Sequence, residues 1–258
     1  MKNNYQVQSI IRAIDILECF LENDKLSFKD ICKKSNLSNG TVFRILKTLI
    51  DRNFISRDSK SEKYLIGKGI FVLGNLALKN YEFEKIVHPV LEELVTNSKE
   101  TANASIFYDN SIIFIDSVDS PYSIKMDVKI GQKTNINSSA SGKAILAYFP
   151  DDKINEILDC VNLPKLTVNS ITEKELFKKE LIEVRKNGFA IDNEEEELGL
   201  KCVAGPVFNY DGKIEGAISI SGLASRFDPN LDDFIAAIKR ACSEVSLKMG
   251  YSKKSDLV

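Results

Sequence analysis

Ser38, Asn39, Thr41, Arg44 and Lys47 sit on one side of a short run, LSNGTVFRILKTL, and are the residues of this chain best suited to chemistry on a nucleic acid. Arginine offers a two-pronged donor that fits the O6 and N7 edge of guanine, and asparagine a donor and acceptor that fit adenine. The hydroxyls and Lys47 suit phosphate oxygens, which position a protein without encoding sequence. Just downstream, FISR and KYLIG alternate around the polar turn DSKSE, where Arg57, Lys60 and Lys63 add phosphate-gripping cations whose effect should fall steeply with salt.

Those side chains need a frame. Val42, Ile45, Leu46 and Leu49 give the run an apolar face, Ser38 is its cap, and the first helical turn would lead into a major groove. Upstream, Ile10, Ala13, Ile14, Leu17 and Phe20 recur at helical spacing over Ser9 to Leu21. Ser27 with Asp30 forms the box that opens a second helix reaching about Ser35. Three helices followed by a basic hairpin spell a winged helix-turn-helix. Charge agrees: residues 1–80 carry 14 Lys and Arg against 8 Asp and Glu, whereas the whole chain is net −2. The first segment is therefore the one expected to meet phosphate.

At 258 residues and 43% hydrophobic content, the chain has room for roughly two domains with real cores. GIFVLGNLALKNY reads as a linker helix with Ile70, Leu73, Leu76 and Ala77 on one stripe. His88-Pro89 is expected to restart the chain, with Pro89 in the first turn of a helix continued by Val90, Leu91, Leu94 and Val95. ASIFYDNSIIFIDSV reads as two strands about an Asp109-Asn110 turn, and KMDVKIG as an extension of the sheet. SASGKAILAYF is a helix reached through small residues, whose first amides could face a ligand. TEKELFKKELIEVRKNG has Thr172 as cap, Glu175 in the box position and Gly188 as stop. LKCVAGPVF and IEGAISISG close a hairpin before a long final helix. Strands flanked by helices at both ends imply an antiparallel α+β domain.

Other chemistries lack their parts. One histidine, His88, cannot build a metal cluster or a convincing Ser-His-Asp triad. SASGKA departs from a phosphate loop at Asn137 and Ala144, Ala140 removes an S-x-x-K motif, and GKGIFVLG does not fit a dinucleotide fingerprint. Five scattered cysteines, without a C-x-x-C pair, argue against disulfides and zinc. No cofactor or metal is expected. Neither an apolar run of membrane-spanning length nor the apolar core of a signal peptide is present, so the expectation is a soluble, cytoplasmic protein. Glu194 to Glu197 reads as a solvated loop, Cys202 as a buried small hydrophobe, and ISISG, from its residues alone, as an inner strand of small side chains.

VQSIIRAIDILECF, SNGTVFRILKTL, KYLIG, SASGKAILA, GFAIDNEEEELGLKCVAGPVF and GAISISG, in that order, resemble the isocitrate-lyase-regulator (IclR) type of bacterial transcription factor from about Val7 to Gly250. Asn53 stands where a glycine is usual before the wing, a position asparagine tolerates because it enters the left-handed region readily. Ala140 and Ser141 fill the small-residue positions ahead of Gly142-Lys143. The resemblance implies an α+β protein: a winged helix-turn-helix DNA-binding domain over 1–67, a linker helix over 68–82 and a GAF-like antiparallel effector-binding domain over 83–258. It also implies an effector site at Met126, Ala140, Ser141, Asp192, Leu200, Cys202, Ser219 and Ser221. Serine hydroxyls beside apolar Leu200 and Met126 suit a small carboxylate or sugar acid, and Asp192 asks for a donor on the ligand. The expected protein is not an enzyme. It is a ligand-responsive regulator, a repressor of a carbon-catabolism operon, that binds a pseudo-palindromic double-stranded DNA operator as a homodimer or homotetramer. An activator or scaffold whose effector domain mainly makes protein contacts is the alternative, and an enzyme with an accessory DNA-binding domain the third reading.

Overall fold

The computed structural model describes residues 6–21, 23–79 and 82–252, and the chain divides into two compact units, 1–81 and 82–258. In the first, α1 (Gln8–Glu18), α2 (Phe28–Ser35) and α3 (Asn39–Asp51) precede the hairpin β1 (Ile55–Arg57) and β2 (Tyr64–Ile66). Ile16, Phe20, Ile31, Val42, Leu46 and Ile55 form its core; Val42 and Leu46 lie on the predicted face of α3, but α1 turns Ile16 inward with Phe20 and leaves Ile10 and Ile14 of its expected face exposed. The Ser27–Asp30 box closes both ways, and Ser38 caps α3 by accepting from the Thr41 amide. Asn53 has φ +61°, the left-handed geometry its place before the wing demands. Gly67 is needed because a Cβ there would lie 2.3 Å from the Asn53 carbonyl oxygen. Helix α4 (Lys68–Lys79) follows, with Leu73 and Leu76 exposed, while the Ala77 side chain of the expected stripe lies outside the described residues.

The second unit is a six-stranded antiparallel sheet in the order β5-β4-β3-β8-β7-β6. Its strands are β3 (Thr101–Tyr108), β4 (Ser111–Val118), β5 (Lys133–Thr134), β6 (Ala190–Asn193), β7 (Leu200–Phe208) and β8 (Ile214–Leu223). Asp109 and Asn110 both have positive φ and make the tight β3–β4 turn. Side-chain alternation divides the sheet's two faces. Ala102, Ala104, Val203, Ile218 and Ile220 face α5 (Glu82–Ser98) and α10 (Leu231–Lys248). Ala190, Cys202, Ala204 and Ala217 face α6 (Ala140–Leu146), behind which pack α7 (Asp151–Cys160) and α8 (Lys174–Asn187). A short α9 (Ala224–Phe227) and a 3-10 turn at Asp228–Asn230 lead into α10.

Three expectations are corrected. Pro89 does not open a helix; it lies inside α5, which already begins at Glu82. Proline inside a helix is unfavourable by about 3 kcal/mol or more, but the turns ahead of it bury Phe83 and Val87 completely, and that burial keeps them helical. KMDVKIG does not join the sheet, which is extended instead by Lys133–Thr134 pairing with Ile113 and Ile112. Of that segment's backbone amides, only that of Gly131 reaches the sheet among the described residues, donating to the Phe114 carbonyl at 2.7 Å; side chains hold its start, where Arg226 donates to the Ile124 carbonyl just ahead of it and Thr101 Oγ1 to that of Met126. Thr172 is not a cap, since α8 starts at Lys174 after an uncapped Glu173; Gly188, at φ +77°, does end it. Asn137 fixes the chain before that start by donating to the Ile171 carbonyl at 2.8 Å.

Candidate functional site

The start of α3 is open: Ser38, Asn39, Arg44 and Lys47 are exposed, and nothing lies near Gly40. Thr41 is half-buried, and its hydroxyl lies 2.9 Å from Ser38 Oγ, so both hydroxyls serve the cap first. In the wing, Lys60 and Lys63 are exposed, while Arg57 meets Glu62 at 3.3 Å. That pair is a surface one, worth little in water, and a phosphate can displace it. The turn owes its shape to Asp58, absent from the sequence-based list: its Oδ1 accepts the amides of Lys60 and Ser61, and Lys25 pairs with its other oxygen. The Lys25 ammonium, first among those partners, holds the Asp58 carboxyl far below the usual carboxylate range. A backbone pattern would have revealed Asp58 as a turn former, but not Lys25.

In the second unit, register assembles most of the expected effector residues. Asp192 opposes Cys202, which opposes Ser221, which opposes Thr101, making one row across β6, β7, β8 and β3. Two residues along, on the same face, Ala204, Ser219, Asn103 and Ser117 form the next. Leu200 lies two residues before Cys202 on that face and is half-buried. Ala140 and Ser141 are buried at the start of α6, the helix that covers β7 and β8. Met126 reaches the face through its carbonyl, which accepts from Thr101. The helix-start amides are partly spent: that of Gly142 goes to Ser139 Oγ at 3.0 Å.

Two regions of the chain match known family profiles: "IclR helix-turn-helix domain" over residues 9–59 and "Bacterial transcriptional regulator IclR C-terminal" over residues 75–247. The chain belongs to the IclR family. Among its relatives, the HTH-type transcriptional regulator KdgR of Escherichia coli K12 is 32% identical, the match covering 95% of this chain and 94% of KdgR. The transcriptional repressor IclR of the same organism is also 32% identical, over 95% and 91% of the two chains. The Thermotoga maritima IclR crystal structure superposes with a TM-score of 0.73 at 31% identity over 95% of this chain and all of that one. An IclR homologue from Microbacterium hydrocarbonoxydans, crystallised with 4-hydroxybenzoate, shares the fold with a TM-score of 0.83 at 17% identity, over 95% and 100% of the chains.

Membership makes this IclR-family protein a DNA-binding transcription regulator with an effector-binding domain, in a family that is not enzymatic. Among the described residues, no helix is long and apolar enough to cross a membrane. Its EEEE run corrects the solvated-loop reading. Glu194 Oε2 accepts the Gly199 amide at 2.7 Å, and Glu196 takes Thr134 Oγ1 at 3.1 Å together with Ser138 Oγ. Glu195, 6% exposed, meets the fully buried Lys143 Nζ at 2.6 Å; Glu180 stands 3.6 Å from the same nitrogen. Glu195 Oε2 is buried without a partner among the described residues.

This acidic surplus bears on Asp192. Burial, reinforced by the Glu195 charge and opposed by the Glu195 and Glu196 amides and Lys143, pushes its carboxyl up to about 7. Asp192 is therefore partly protonated near neutrality and can donate as well as accept, where the sequence reading had it only accepting. Cys202 is confined by the same burial, which raises its thiol well out of the reactive range. A carboxyl raised from about 3.9 in the unfolded chain contributes fully below that value, and the contribution is lost as pH rises through about 7. Asp192→Asn keeps an acceptor for both amides and removes the titration. The variant should melt several degrees above wild type at pH 8, with the gap narrowing toward pH 5 in thermal unfolding scans; a gap independent of pH would contradict the shift.

Proposed function

We propose that this protein is a repressor of a carbon-catabolism operon, released or re-oriented on its operator by a small carboxylate or sugar-acid effector. In this reading residues 1–67 bind DNA through Ser38, Asn39, Thr41, Arg44, Lys47, Arg57, Lys60 and Lys63, residues 68–82 link, and residues 83–258 sense. The observation that carries the ligand class is the buried polar face on which Asp192, Cys202, Ser219 and Ser221 share neighbouring rows, beside Ser141. A sheet face buried under a helix ordinarily carries apolar residues, and hydroxyls held there need polar partners. Repression is supported by relatives that carry the word in their names, the E. coli repressor IclR among them. The carboxylate is supported by 4-hydroxybenzoate in the Microbacterium homologue. An effector acts only through a difference in affinity between operator-bound and free arrangements.

Selecting genomic fragments on the purified full-length protein at two salt concentrations tests the reading. Two-fold symmetric sites beside catabolic genes are expected for a dimer or a dimer of dimers, and sequence-indifferent binding in the presence of candidate effectors would sink it. With a site in hand, Ser219→Ala/Ser221→Ala should weaken the effector response about tenfold, the loss of one or two hydrogen bonds, and leave operator affinity alone. An unchanged effector response would move the site elsewhere.

A further inference from the structure

Resting on the effector-site reading above, we propose that Asn103 is the residue that selects a carboxylate in that site, its side-chain amide aimed by Ser117. Asn103 is fully buried on β3, at the centre of the polar face, opposite Ser219 on one side and Ser117 on the other. Ser117 Oγ donates to its Oδ1 at 2.8 Å, which turns the NH2 group toward β8. There Nδ2 donates to Ser221 Oγ at 3.4 Å, a long contact that engages one of two hydrogens. No second acceptor among the described residues is bonded to it.

Charge makes this donor decisive. The cations near the face are each committed: Lys143 to Glu195 and Glu180, Arg226 to Glu100, and Lys125 to Asp119. An anion here must be held by neutral donors. Serine hydroxyls give or accept as the guest requires, so they do not discriminate, whereas an amide nitrogen only donates. Asn103 thereby demands an acceptor, and an ionised carboxylate oxygen is a stronger one than a neutral carbonyl or hydroxyl. A second observation points the same way. Two residues farther along β3 on the same face, Ser105 Oγ is fully buried with no partner among the described residues, an arrangement expected where a polar guest completes the bonding.

Asn103→Asp keeps the shape, removes both donors and adds a negative charge. Calorimetric titration of the full-length protein with pyruvate, D-gluconate and 4-hydroxybenzoate, each paired with its neutral amide, reads the effect. For a carboxylate that wild type binds, the variant should lose at least tenfold in affinity while the amide loses little, an inversion of preference that a merely structural asparagine would not produce. Ser117→Ala, which frees the amide to turn, should lose threefold or more, and it decides the matter if the aspartate variant fails to fold. Variants that fold and bind as wild type overturn the role of Asn103 and leave the site standing. If wild type binds none of the carboxylates, the ligand class proposed above falls, and this inference with it.

Discussion

Lys143→Met is expected to destabilise the effector-binding unit by about 3–5 kcal/mol, the usual consequence of removing one partner from a buried ion pair. The ammonium is wholly buried at 2.6 Å from Glu195, itself nearly buried, with Asp192 and Glu180 close by. Without Lys143 three carboxyl groups face one another and no cation. In a unit of this size such a loss lowers Tm by roughly 6–20 °C. Methionine fills much of the lysine stem's volume, so the effect reports charge more than packing. Two controls sharpen it. Lys143→Met/Glu195→Gln removes both charges and should recover most of the loss, and acidification toward pH 5 should recover part of it in the single variant, because Glu195, whose carboxyl burial already raises, then takes up a proton. A single variant within 1 °C of wild type would mean that the pair contributes nothing net to the fold.

Arg44→Ala is expected to reduce operator affinity about 10- to 100-fold, the discrimination carried by one good bidentate base contact. Arg44 is exposed on α3, its guanidinium is in none of the ion pairs among the described residues, and its carbonyl keeps the bond from Thr48 whatever side chain it bears. The fold should therefore survive, with Tm near wild type. Fluorescence anisotropy on a selected operator separates base reading from phosphate contact. Loss of Arg44 should relax preference at one base position, whereas Lys60→Ala should weaken all sequences alike and flatten the salt dependence. Unaltered affinity after Arg44→Ala would remove α3 as the reading helix.

Much of the first unit was readable from local signals, the buried face of α1 excepted, where Ile16 is inside and Ile10 and Ile14 are exposed. The Ser27–Asp30 box, the Ser38 cap, the left-handed Asn53 and the wing hairpin each involve groups only a few positions apart, so their signals lie inside windows that helix and strand periodicity can resolve. The β3–β4 turn and the β7–β8 hairpin were legible for the same reason. Pro89 misled because a local rule, proline at a helix start, was overridden by distant packing on Phe83 and Val87. The EEEE run misled in the opposite direction. Four acidic residues in a row look solvated until donors are located: Glu197 is exposed and Glu194 takes the nearby Gly199 amide, but the donors to Glu195 and Glu196 lie in Thr134, Ser138 and Lys143, far back in the chain.

By itself the sequence determined the element types, the two-part organisation, the regulator family and the residues with the right chemistry for DNA. Those properties follow from side-chain periodicity, caps, turns and ordered strings. Only the tertiary structure decided which charges remain available. Lys143, on the covering helix α6, finds Glu195 across 52 residues, and Asn103 reaches Ser221 across 118 through strand register, neither through any local pattern. The physical reason is that a buried charge or amide is defined by the partner that satisfies it. That partner is chosen by how strands align and which helix covers them, so Lys143, whose neighbours in the chain say nothing of a partner, becomes in the fold part of a closed ion pair.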